Sequence, residues 1–296
     1  MSHSSIEPNR LGQLSIGQCA TLATIMEATA PKPGNVHRGA DFEDLSYPDF
    51  IVATTVVGPI LDTAVMLPLG QTILAAIEAT QAAVATNTNL GTILLLAPLA
   101  KVPRTTTLAA GIAEVLGRLT ADDARDVYQA IRAANPGGLG QVESADVAQD
   151  APADLVAAMR LAADRDLVAR QYTDNFHLVL NVVAPRLLQT VEAGLSLSDA
   201  IVRVHLELLS EYPDSLIARR RGVEVAHKAA ALARDVLAAG DSRDEAFEEA
   251  LADFDFWLRA DGHQRNPGTT ADLIAAGLFA LLREGKLLPP FRLARL

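Results

Sequence analysis

Apolar residues recur at helical spacing along most of this chain, which predicts a succession of amphipathic and buried helices. The pattern places them over residues 15–30, 47–67, 72–85, 91–100, 105–119, 121–133, 153–172, 175–193, 198–211, 219–239, 242–259 and 271–284. Ser15 is a candidate N-cap for the first. Pro31-Lys32-Pro33-Gly34 ends it, because two prolines exclude helix and the glycine relaxes the turn. The polar stretch Thr86-Asn87-Thr88-Asn89 separates two apolar helices, and its hydrogen-bonding groups need partners. Further breaks fall at Asn135-Pro136-Gly137-Gly138-Leu139-Gly140 and at Asn266-Pro267-Gly268-Thr269-Thr270. No repeat of solenoid length is visible. The expectation is an all-α fold: a compact single-domain multi-helix bundle over 1–296 with no significant sheet. Ala134–Ala151 is the candidate hinge or lid.

Composition agrees with that picture. Half of the 296 residues are hydrophobic but only 4% are aromatic, a profile that suits close-packed Ala- and Leu-rich helices. The net charge of −11 repels phosphate backbones, so no nucleic-acid partner is expected. The single Cys19 excludes an intramolecular disulfide and is consistent with a reducing compartment. No signal-peptide pattern opens the chain. Of its most apolar stretches, Phe50–Pro68 contains Pro59 and Asp62, and Leu90–Ala100 is roughly half the ~20 residues needed to span a bilayer. A cytoplasmic protein with no membrane partner is expected. The apolar helices are compatible with a homodimer and do not require one.

The informative positions are polar groups that interrupt apolar stripes. Glu27 continues the stripe Ile16, Ala20, Ala23 and immediately precedes the Pro-Lys-Pro-Gly turn. It is either a surface residue of a last turn or a carboxylate aimed into a site; a helix C-terminus prefers cations, which weakens the first reading. The following loop gathers Lys32, Asn35, His37, Arg38, Asp41 and Asp44, either as a solvated turn or as a phosphate- and metal-binding one. Asp166 continues the stripe Leu155, Met159, Ala162, and Arg170 stands one helical turn on as a structural partner. An inward Asp166 needs a partner, a metal or a raised pKa. Asp214 or Ser215 can cap the next helix, whose Arg219, Arg220 and Arg221 point in different directions, one of them able to reach a triphosphate. His177, His205 and His227 lie on predicted helices and read as core or surface residues. No zinc cluster, P-loop, Rossmann fingerprint or nucleophile elbow is present.

Glu27 with Pro31-Lys32-Pro33-Gly34-Asn35-Val36 resembles the signature of the triphosphoribosyl-dephospho-CoA synthase family. The likeness continues in order through Thr86-Asn87-Thr88-Asn89-Leu90-Gly91, Arg165-Asp166 with Gln171-Tyr172, Asp214-Ser215 through Arg219, and Asn266-Pro267-Gly268-Thr269-Thr270-Ala271-Asp272-Leu273. One departure stands at Asn89-Leu90, where members acting in the citrate pathway carry His-Lys. A divergent branch with a related cofactor precursor as acceptor is therefore an alternative to the citrate-pathway activity.

The resemblance implies an all-α transferase. ATP donates its triphosphoribosyl group, adenine leaves, and a ribose hydroxyl of 3′-dephospho-CoA accepts. Mg2+ is expected with ATP as substrate. Glu27, Asp166 and Asp214 then form a carboxylate pool serving as base, cation stabiliser and metal ligands. Lys32 and Arg219 hold phosphates, the loop residues Asn35, His37 and Arg38 belong to the substrate site, and Asn87, Asn89 and Asn266 bind sugar, phosphate or base edges. Asp272 is read as a helix cap through the Thr269-Thr270 turn. The rival readings are an Mg-dependent all-α hydrolase of an N-glycosidic or phosphate bond, and a non-catalytic nucleotide-binding protein.

Overall fold

A computed structural model describes residues 13–84, 89–134 and 153–292. Asn87 and positions 135–151 of the expected hinge lie outside them. The described residues form α1 (Ile16–Thr29), α2 (Tyr47–Asp62), α3 (Leu69–Val84), α4 (Leu90–Lys101), α5 (Leu108–Gly117), α6 (Ala121–Ala134), α7 (Leu155–Ala162) and α8 (Leu167–Thr173). A π-helical turn at Val179–Val183 then leads into α9 (Ala184–Glu192), followed by α10 (Leu197–Glu211), α11 (Ser215–Arg221), α12 (Val223–Ala238), α13 (Glu245–Arg259) and α14 (Gly268–Arg283). The only extended element among them is the short stretch Ala260–His263, and no sheet forms. The fold is all-α, as the apolar pattern predicts.

Two helices are apolar all round and lie at the centre. In α4, Thr92–Ala100 is buried at every position, and in α14 so is Leu273–Arg283. A helix buried on every face must be wrapped by others. α1, α4, α9, α10 and the π turn all pack against α14. α2, α3 and α6 form one outer layer, and α12 and α13 extend the other from α10.

Local chemistry fixes the ends. Ser15 and Gln18 form a capping box at α1, and Asp62 of α2 accepts from Gly17 N at 2.7 Å and Ser15 Oγ at 3.0 Å. α1 and α2 touch backbone to backbone there: a Cβ on Gly17 would stand 2.1 Å from Gly58 O.

Three expected helices are broken. The one over 153–172 divides at Asp166, which leaves helical geometry and spends its side chain capping α8. The one over 175–193 begins with Asn175 and Phe176 at φ 56° and 61° and passes through the π turn. The buried Gln171 accommodates it, accepting from Val179 N at 3.2 Å. The one over 219–239 divides at Gly222, whose φ of 92° suits glycine.

Candidate active site

The N-terminal ends of α4, α8, α11 and α14 are tied to one another through polar side chains, and the loop that follows α1 joins them through Asn35 and Asn266. α14 follows the break Asn266-Pro267, and its Asp272 accepts from Thr92 Oγ1 of α4 at 2.6 Å. The Asp272 carboxyl lies so close to the α4 backbone that a Cβ on Gly91 would stand 2.0 Å from its Oδ2. Gly91 is thus the residue that lets the Asp272 carboxyl sit against the start of α4. The neighbouring Asn89 is buried, gives one amide hydrogen to Thr80 Oγ1 at 3.2 Å, and leaves its Oδ1 without a partner.

Asp214 is the junction between α11 and α14. It is fully buried; its Oδ1 accepts from Leu216 N at 2.8 Å and Ile217 N at 3.1 Å, and its Oδ2 accepts from Thr270 N at 2.7 Å and Thr270 Oγ1 at 2.8 Å. The cap foreseen at this position is present on Oδ1, and Oδ2 ties it to α14. Burial pushes its pKa up, and the Thr270, Ile217 and Leu216 donors pull against that.

Asp166 caps α8 through Oδ1, from Val168 N at 2.9 Å and Ala169 N at 3.2 Å. Its Oδ2 pairs with Arg219 Nη1 at 3.0 Å, so the partner is Arg219 across the α8–α11 junction rather than Arg170 on the next turn. Ser215 Oγ accepts from Leu167 N at 3.2 Å and closes that junction.

Glu27 is buried on the last turn of α1, and its carboxylate meets Lys32 Nζ at 2.9 Å. Lys32 is 0% exposed. Its ammonium also donates to the backbone carbonyls of Glu27 and Ala30, so its three hydrogens are all taken within the protein. Burial raises the Glu27 pKa, and Lys32 opposes the rise. His205 of α10 is fully buried with both ring nitrogens unpartnered. Burial, and then the Lys32 charge, pull its pKa down to about 3, so it is a neutral imidazole.

The loop after Lys32 docks on the segment between α13 and α14. Asn35 Nδ2 donates to Asn266 Oδ1 at 2.5 Å, while the buried Asn35 Oδ1 has no partner. Gly34 N donates to Asp255 Oδ1 at 2.7 Å, Arg259 donates to Asn35 O, and Arg259 lies 5.6 Å over the Phe42 ring. Phe42 in turn contacts His263, whose Nδ1 is 3.2 Å from Asp44. His37 is half-buried, with its pKa lowered by burial and then by Arg259 and Lys32; Arg38 is exposed.

The electrostatics centre on Asp272. Its pKa is raised to about 8, first by burial and then by the charges of Glu27, Asp214 and Asp166, against the bond from Thr92. It nevertheless keeps part of its surface open to solvent. The charges of Glu27, Asp214 and Asp166 thus add to burial in favouring the protonated form of Asp272. Among the described residues no three His, Cys, Asp or Glu side chains stand close enough to hold a metal ion by themselves. Sequence reading gave Asp272 only a capping role. Its signal was its place in Asn-Pro-Gly-x-x-Ala-Asp, but what gives it chemistry is the convergence of helix ends distant in sequence. His205 carried no signal beyond being a histidine on an apolar helix.

Residues 13–289 match the family model for ATP:dephospho-CoA triphosphoribosyl transferase (CitG). A solved structure described as a triphosphoribosyl-dephospho-CoA synthase, from Archaeoglobus fulgidus, is 28% identical with a TM-score of 0.61; the match covers 79% of this chain and 98% of that one. No curated protein matches the chain.

Proposed function

The chain belongs to the family of ATP:dephospho-CoA triphosphoribosyl transferases, and on that premise we propose how its gathered carboxyl groups carry out the transfer. The protein is a pentosyl-type transferase: ATP gives its triphosphoribosyl group, adenine leaves, and a ribose hydroxyl of 3′-dephospho-CoA or a related precursor accepts. The bond between C1′ and adenine breaks, and its electron pair departs with the base. A bond from the acceptor oxygen to C1′ forms, and the hydroxyl proton is released. One proton must reach adenine and one must leave the acceptor.

The observation that carries this reading is Asp272, a half-buried residue whose carboxyl sits against Thr92 and Gly91 at the start of α4 and whose pKa is raised to about 8 by burial and then by the charges of Glu27, Asp214 and Asp166. A group with its pKa near the working pH suits proton transfer in both directions. Asp272 protonates adenine as it leaves, then takes the acceptor's proton and ends as it began. Glu27 faces the positive charge that develops at C1′ as the base departs. Asp214, with both oxygens spent on α11 and α14, positions Asp272 and does not touch substrate. Arg219 reaches the triphosphate, and the Asn35–Asn266 pair and Asn89 offer amide groups to the base and sugar.

Mg2+ is expected to arrive with the triphosphate. It binds through one or two carboxylates plus substrate phosphates and water rather than through an all-protein cage. Asp166 would supply one such carboxylate oxygen, with Arg219 3.0 Å away as a cation for the phosphates, and the bound ion would neutralise phosphate charge. We place the enzyme in the cytoplasm with its nucleotide substrates.

The test is to incubate the protein with ATP and Mg2+, with and without dephospho-CoA, and to follow free adenine. Adenine released only with the acceptor is the expected result. Adenine released equally without it would make the protein a hydrolase, and ADP with phosphate would overturn both glycosidic readings.

A further inference from the structure

Lys32 lies in the most distinctive motif of the chain, and a lysine beside a triphosphate site invites assignment as a phosphate ligand. Its surroundings argue otherwise. The side chain is 0% exposed, curls back from the Pro31–Pro33 turn, and ends against the last turn of α1. One hydrogen goes to the Glu27 carboxylate at 2.9 Å, and the others go to the carbonyls of Glu27 and Ala30. Among the described residues Glu27 is its one ion-pair partner. His205, sealed beside it, is neutral and cannot replace that charge. Turning Lys32 out toward a phosphate would strand Glu27 as an unpaired buried carboxylate, a cost that breaking a buried pair always carries. It would also uncap two carbonyls at the end of α1.

We propose that Lys32 is a positioning residue: its buried ammonium pins the Glu27 carboxylate in place, and it makes no contact with the substrate's phosphates. This rests on the reading that Glu27 acts at C1′. Lys32 then belongs to the chemical step alone. Its loss slackens Glu27, and a carboxylate misplaced by about an ångström costs on the order of a hundredfold in rate.

The experiment compares Lys32→Met, Glu27→Gln and the double variant with wild type, measuring kcat, KM and the dissociation constant for ATP. Lys32→Met is expected to lose about a hundredfold in kcat with ATP affinity kept within about threefold, the split of a group that matters only in the transition state. The double variant is expected to be no slower than Glu27→Gln, because the two residues act as one unit. It also replaces the ion pair by neutral groups, which buried sites tolerate, so it reports even where Lys32→Met alone does not fold. If the double variant binds ATP ten or more times more weakly than Glu27→Gln, on the order of 1.4 kcal/mol, Lys32 is a phosphate ligand and the proposal is overturned. Wild-type kcat in Lys32→Met, with Glu27→Gln inactive, would overturn the positioning role alone. Wild-type kcat in Glu27→Gln would instead overturn the role of Glu27 itself.

Discussion

A single carboxyl group illustrates what a residue gains from its neighbours. Asp272 is an ordinary aspartate in sequence, yet burial and then the charges of Glu27, Asp214 and Asp166 push its pKa up to about 8. Between about pH 4 and pH 8 the folded protein keeps a proton that the unfolded chain gives up. This contribution to stability is therefore full below about pH 4, falls as pH rises across that window, and levels off above it. Asp272→Asn retains an oxygen to accept from Thr92 but cannot ionise. The variant should be more stable than wild type at pH 8, on the order of a few kcal/mol, with the difference closing toward pH 4. Urea unfolding at both pH values checks this. Turnover should fall by about a hundredfold or more, because the proton carrier is gone. A variant with wild-type turnover would remove Asp272 from the mechanism. Glu27 was legible from its stripe and its turn. Asp272 was not, because its raised pKa comes from burial and then from charges lying 245, 106 and 58 positions away along the chain.

At the scale of elements, the candidate site is a meeting of helix ends, and the caps Asp166 and Asp214 are also proposed site residues. The sequence pattern predicted the helices but ran through their breaks, because Asp166 and Gly222 sit inside otherwise continuous apolar periodicity. The break at Asp166 is held by tertiary bonds, Leu167 N donating to Ser215 Oγ and Arg219 pairing with Asp166, that the sequence pattern does not contain. Asp214→Ala should unfold about 2–4 kcal/mol more easily, since it leaves the Thr270 hydroxyl and several amides unpaired in the interior. A lowered urea midpoint with an unchanged slope is the expected observation, and an unchanged midpoint would mean that water replaces the carboxylate. Gly91→Ala tests the approach of α4 to α14. Its Cβ would meet Asp272 Oδ2 at 2.0 Å, so the carboxyl must move. A loss of about ten- to a hundredfold in kcat is expected, with the fold retained by circular dichroism.

Taken whole, the molecule is acidic, with a net charge of −11, yet its proposed substrates are anions. Arg219 and Arg220 on α11 are its cations beside the break before α14, Arg219 paired with Asp166, while Arg221 and Arg265 are paired with Asp261 and Arg259 with Asp255. Arg220 donates to His263 O at 2.8 Å, and Arg265 lies 4.5 Å over Trp257. With residues from Glu27 to Asp272 in the nucleotide site, as proposed, a bound nucleotide ties together elements from across the chain. ATP at about a hundred times its dissociation constant should raise global stability by about 2.7 kcal/mol, seen as a rise in Tm of several degrees. An unmoved Tm under saturating ATP would contradict the nucleotide reading.

The central position of α14 bears on how the protein is made. The helices that pack on it all precede it in the chain. A ribosome adding roughly 5–20 residues per second releases each of them before their common bed exists. Until α14 emerges, the apolar flanks of α1, α4, α9 and α10 stand open together, and Asp272 has not reached Thr92. The nascent polypeptide thus passes through a stage with a hollow centre and unassembled chemistry, a natural client for a holding chaperone. Translation stalled before Gly268 should yield a sticky, inactive product that α14 supplied as a separate peptide can complete.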